Sequence, residues 1–124
     1  MGLVTLRGAV GVEENSRQAI LTATKDLLIS LRDKNGLVPE NVVTSVFSAT
    51  RDLDAAYPAE AARSLGWTEA ALLCVQEMAV RGAMERVIRV LIQANLDLPQ
   101  SQVSHVYLGR AASLRPDLTE EGRG

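Results

Sequence analysis

The sequence predicts an α/β fold of the α+β kind, ordered β-α-β-α-β-β, with a mixed sheet and its helices on one face. Three observations predict it. Short stretches rich in β-branched residues alternate apolar and polar positions with period two. One long run with helical spacing separates the first two stretches, so the chain opens on a β-α-β crossover. A second helix, introduced by Pro58, is much shorter.

Leu3 to Val10 reads as the first strand, with Val4, Leu6 and Val10 on one face and Thr5 and Arg7 on the other. Glu13-Glu14-Asn15-Ser16 supplies acidic residues and cap candidates for a helix start. Ile20, Thr24, Leu27, Leu28 and Leu31 then recur at helical spacing, and Asn35-Gly36 ends the helix. Pro39-Glu40-Asn41 turns the chain into a second strand, Val42 to Ala49. An acidic loop from Thr50 to Tyr57 leads to the short helix, Ala59 to Leu65, closed by Gly66. Ala70 to Val75 is a third strand and Met78 to Ala83 a loop.

Glu85 to Gln93 is the fourth strand. Ile88, Val90 and Ile92 line one face of it, and Val87, Arg89 and Leu91 the other. Leu98-Pro99-Gln100 turns the chain again, and Val103 to Leu108 forms a last short extended piece. Residues 1–118 are expected to form one domain and residues 119–124, polar and glycine-rich, a flexible tail. Two helices of this size cover one sheet face only. The face carrying Arg7 and Arg89 is left with nothing in the chain to cover it, which predicts an oligomer with the arginines near the subunit contact.

Composition narrows the chemistry. The chain has 124 residues, 47% apolar and 23% charged, as expected of a soluble globular domain. A net charge of -2 gives no electrostatic reason to expect nucleic acid or an anionic membrane. No apolar run approaches the roughly 20 residues of a membrane span, and no charged-then-apolar leader opens the chain. One cysteine allows no internal disulfide, so a cytoplasmic location is expected. One histidine and one cysteine cannot build the usual zinc sites, and no phosphate-binding or nucleophile-elbow motif occurs. Neither a metal, a nucleotide nor a serine triad is expected. The cations are 11 Arg to 2 Lys, a ratio that codon bias can explain; the positions of the arginines carry more.

Arg89 sits at mid-strand between two apolar neighbours, which is costly unless an anion meets it. The alternative is a guanidinium snorkelling to solvent. Arg7 occupies the same kind of position, and on a shared face the two would form a dianion site. Arg63 follows Glu60 by three residues, so an intrahelical ion pair is its bland reading. Cys74 and Glu77 flank the end of the third strand. Glu77 can accept a hydroxyl proton or pair with Arg89, whereas Cys74 is by default a small hydrophobe. His105 is either structural or a general base, and Tyr107 shares its strand parity. Leu114-Arg115-Pro116-Asp117 adds one more cation. Such a set suits binding a small polyanion, or a reaction that needs only positioning and electrostatics.

The chain also resembles a known family, the AroH-type monofunctional chorismate mutases. The matching segments include Leu6-Arg7-Gly8-Ala9, Ser48-Ala49-Thr50, Tyr57-Pro58-Ala59, Arg63, Cys74, Gln76-Glu77-Met78, Val87-Ile88-Arg89-Val90, His105-Val106-Tyr107-Leu108 and Leu114-Arg115-Pro116-Asp117-Leu118. The resemblance implies a homotrimer whose sheets form a pseudo-barrel, with sites at the subunit interfaces. It implies the Claisen rearrangement of chorismate to prephenate, with neither covalent nor acid/base catalysis and without a cofactor. By the same resemblance, Arg89 meets the ether oxygen, Arg7 and Tyr107 bind carboxylate, and Glu77 and Cys74 hold the ring hydroxyl. Tyr57, Arg63, Leu73, Leu114 and Arg115 would form the walls and the C-terminal closure of the pocket.

Four positions depart from the family pattern. Tyr57 is often Phe, Glu60 stands where a lysine can occur, Leu73 replaces a polar residue, and the loop at Gly66-Trp67 is one residue shorter. A ligand-binding or regulatory protein on the same trimeric scaffold, without turnover, is the other reading. It would need only Arg7, Arg63 and Tyr107, so Arg89 with Glu77 and Cys74 separates the two.

Overall fold

In the computed structural model, which describes residues 2–114, the sheet is built from β1 (Gly2–Gly11), β2 (Val42–Ala49), β3 (Ala71–Gln76), β4 (Val87–Leu96) and β5 (Val106–Leu108). Helix α1 (Arg17–Asn35) lies between β1 and β2, and α2 (Ala59–Ser64) between β2 and β3. The tail expected at 119–124 falls outside the described residues.

Helix α1 forms where the spacing of its apolar residues predicts it. Ser16 caps it by accepting the Ala19 N–H, and Gly36 ends it in the left-handed conformation at φ 66°, its N–H bonded to the Arg32 carbonyl. Ile20, Leu27, Leu28 and Leu31 are fully buried, each contributing about 1.5–3 kcal/mol of apolar burial. They meet β1 across Gly8, where a side chain would strike the tips of Leu27 and Leu31 at 3.0 Å. Glu13 and Glu14 precede the helix rather than joining it.

The strand order is β3-β2-β4-β1-β5. β4 runs antiparallel to both β1 and β2, so those two are parallel to each other with β4 inserted between them. β3 adds parallel to β2, and β5 parallel to β1. The sheet is mixed, as expected. Val4, Leu6, Phe47, Ile88 and Ile92 on one face join α1 and Ala59 and Ala62 of α2 in a single core.

The boundaries of β1, α2 and β3 differ from expectation by one residue, and three others by two or three. β4 starts at Val87, not Glu85, because Arg86 has a positive φ of 51°. That turn is held by the Arg86 N–H on the Asp52 carboxylate and by the Arg86 Nε–H on the Val12 carbonyl. β4 then runs on to Leu96, since Gly2 of β1 extends far enough to pair with it. β5 begins only at Val106, so Val103 to His105 are not strand.

The second sheet face is not wholly uncovered, contrary to expectation. A 3-10 turn, Gly109–Ser113, folds over one end of it. Ala111 there buries Ala9 and Val87, with Met84, Tyr107 and Leu114 around them. The rest stays open, and Leu73, Val75 and Leu91 are 56%, 44% and 45% exposed.

Candidate active site

Strand register brings the expected cations together. Ser48, Arg89, Ala9 and Tyr107 are successive partners across β2, β4, β1 and β5, so they form one transverse row on the open face. Arg7, paired with Leu91, stands in the next row on the same face. A cavity of about 230 Å³ is lined by Arg7, Val46, Ser48, Arg89, Leu91 and Tyr107.

Glu77 enters from just beyond β3. Its N–H bonds the Ala49 carbonyl at 2.9 Å, which continues the β2/β3 pairing and turns the side chain toward Ser48. Ser48 Oγ donates to Glu77 Oε1 at 2.6 Å, and Arg89 Nε lies 3.2 Å from the same oxygen. That separation makes an ion pair, but the Arg89 Nε–H is not aimed along it. The atom is buried and has no hydrogen-bond acceptor among the described residues. No carboxylate among the described residues pairs with Arg7. Two guanidinium groups thus face one carboxylate, and the cavity favours an anion.

The other candidates lie elsewhere. Cys74 is the register partner of Phe47 and so faces the helices, packed at the edge of the core. With Tyr57, which is 71% exposed, it lines a separate cavity of about 550 Å³ rimmed by Arg17, Arg51, Asp54 and Glu60. Leu73 partners Val46 and shares the open face with Arg7. Leu114 packs beside Tyr107 in the small cluster under the 3-10 turn. Arg63 is exposed on α2 and lines neither cavity. Arg115 lies outside the described residues.

Two expectations about pairing are corrected. Glu60 binds Arg17 of α1 through both carboxylate oxygens, rather than Arg63 of its own helix. These hydrogen bonds hold the Glu60 carboxyl below its usual range and raise Arg17, with Arg63 adding only a weaker attraction. Residues three apart in so short a helix are in reach, but the two forks of Arg17 and Glu60 match better. His105 and Tyr107 do not point the same way either. Tyr107 belongs to the open face, whereas His105 precedes β5 and its Nδ1 accepts the Arg7 backbone N–H at 3.0 Å. Sequence reasoning gave no role to Ser48 or Arg17; the alternation of β2 would have put Ser48 on the arginine face.

Residues 3–118 match the family model for chorismate mutase type I. The chain is 46% identical over 114 residues to the chorismate mutase AroH of Thermus thermophilus, covering 91% of this chain and 93% of that protein. It is 44% identical over 115 residues to the chorismate mutase AroH of Bacillus subtilis strain 168, covering 92% and 91%. Among solved structures, a chorismate mutase from Clostridium thermocellum superposes with a TM-score of 0.86 at 41% identity, covering 88% of this chain and 97% of that one.

Proposed function

The chain belongs to the chorismate mutase type I family, and from that premise we propose how its residues convert chorismate to prephenate in the biosynthesis of phenylalanine and tyrosine. The reaction is a unimolecular rearrangement. The ether C–O bond lengthens ahead of C–C bond formation, so negative charge gathers on the ether oxygen in the transition state and disperses in prephenate. Arg89 meets that oxygen. What supports this role is its buried Nε–H, left without an acceptor while Glu77 holds the guanidinium in place. Leaving such a donor unpaired costs about 1–3 kcal/mol, a penalty relieved when charge appears before it.

Arg7 and Tyr107 bind the carboxylates of the dianion, and Glu77 accepts the ring hydroxyl. No group need take or give a proton, since the rearrangement moves none. Arg89 acts as a preorganised charge, and the cavity walls hold the substrate in a reactive fold.

We further place the complete site between chains of a homotrimer. Arg7, Arg89 and Tyr107 occupy one sheet face, whereas Cys74 and Tyr57 line a cavity on the other side of β3. One chain therefore supplies each half. The exposed Leu73, Val75 and Leu91 beside the arginines give the open face an apolar surface for a second copy to cover. Arg63, Leu114 and Arg115 would then border the joined cavity. No described helix is long and apolar enough to cross a membrane, and the single cysteine supports a cytoplasmic site of action.

Mixing the purified protein with chorismate and following loss of its diene absorbance tests the activity. Steady loss with prephenate as product is expected; no loss at micromolar enzyme would refute it.

A further inference from the structure

We infer that His105 is a positioning residue for Arg7, serving as the missing strand that fixes the main chain on which Arg7 is carried. This inference rests on the reading of Arg7 as a substrate ligand. β1 has β4 on one side along its whole length, but on the other side β5 pairs only with Gly8, Ala9 and Val10. The outward-facing N–H of Arg7 and both such groups of Thr5 are left beyond that ladder. Side chains take the place of a strand there. The Gln100 amide accepts the Thr5 N–H and donates to the Thr5 carbonyl, both at 2.7 Å, as a peptide group would. His105 Nδ1 accepts the Arg7 N–H at 3.0 Å, next to the point where β5 begins.

The backbone just before His105 is itself held. Asn35, the last residue of α1, accepts the Ser104 N–H at 2.8 Å and donates to the Ser104 carbonyl at 2.9 Å. Helix, clamp, imidazole and strand thus form a continuous series ending at Arg7. A half-buried N–H without an acceptor would let this part of β1 shift outward. An arginine that must meet a carboxylate with both prongs tolerates little such movement. To accept this bond, His105 must carry its ring proton on Nε2 and not on Nδ1. That excludes Nδ1 as a catalytic base and gives the lone histidine its role.

Substitution at 105 separates positioning from bulk. His105→Asn keeps an acceptor oxygen two bonds from Cβ, where Nδ1 stands; His105→Gln moves it one bond further, and His105→Leu removes it. We expect His105→Leu and His105→Gln to lower kcat/KM by about tenfold, the size of one lost hydrogen bond, mostly through KM because carboxylate binding persists through the reaction. His105→Asn should recover to within about threefold of the parent by retaining that bond. In an Arg7→Ala background, His105→Gln should cost less than about twofold more, because the two act as one unit. Equal kcat/KM for the Asn and Gln variants, or the same tenfold loss without Arg7, would overturn the inference. Should the Leu variant not fold, the Asn and Gln pair still decides. Wild-type turnover by Arg7→Ala would instead refute the reading of Arg7 itself.

Discussion

Arg89 Nε and Glu77 Oε1 stand 3.2 Å apart at the edge of the open cavity, close enough to attract and too poorly aligned to satisfy the buried N–H. The carboxylate is anchored instead by Ser48 Oγ at 2.6 Å. The pair therefore aims the guanidinium without consuming its hydrogen-bonding capacity.

Removing the carboxylate should separate function from stability. The ion pair is partly exposed and worth no more than about 1 kcal/mol to folding. Glu77→Ala is expected to leave the urea midpoint nearly unchanged while lowering kcat/KM by at least about tenfold, since Arg89 and, in the proposed mechanism, the ring hydroxyl both lose a partner. Parallel unfolding and kinetic measurements check this.

The strands and the main helix were legible because burial imposes periodicity. Val4, Leu6 and Val10, and Ile88, Val90 and Ile92, alternate since each set faces α1 and α2. The pairing of strands leaves no such trace. Nothing in the alternation of β4 says that it lies between β1 and β2, or that Cys74 points away from Arg89. Contacts made by single side chains to distant backbone were also illegible. Gln100 on Thr5, His105 on Arg7 and Arg86 in its left-handed turn depend on residues many positions away. The Arg17–Glu60 pair was missed because it joins two helices, while the local partner Arg63 satisfied the usual spacing rule.

The proposed division of the site between chains predicts complementation. Arg89→Ala and a Tyr57→Asp variant should each be nearly inactive alone. Co-refolded, they form mixed assemblies in which some interfaces carry both intact halves, and part of the activity should return. Leu73→Asp, which puts charge on the uncovered apolar face, should yield smaller species by analytical ultracentrifugation and lose activity with them. Full activity in a verified monomer would contradict the division.

Turnover and stability should respond differently to pH. The proposed mechanism transfers no proton, so kcat should change little between about pH 6 and 9; a sharp bell would implicate an acid or base. Stability should fall on acidification. Burial pushes the Asp52 carboxyl up, but the Thr50 hydroxyl and the Arg86 N–H outweigh it and leave it below its usual range; Arg17 lowers Glu60. A depressed carboxyl stabilises the fold above its unfolded value near about 4, and that contribution is lost as pH drops through the folded value. Asp52→Asn should make the acid limb of a urea-midpoint profile shallower.

In the proposed mechanism the charge that Arg89 presents to the ether oxygen is central, and single-turnover kinetics of Arg89→Ala and Arg89→Lys test it most directly. A donor at a developing oxyanion is worth roughly 3–4 kcal/mol, so the alanine variant should lose at least about 10²-fold in the chemical step while remaining folded. Lysine keeps the charge but not the fork, and should stay badly impaired. Rearrangement by Arg89→Ala at the wild-type rate would contradict the assignment.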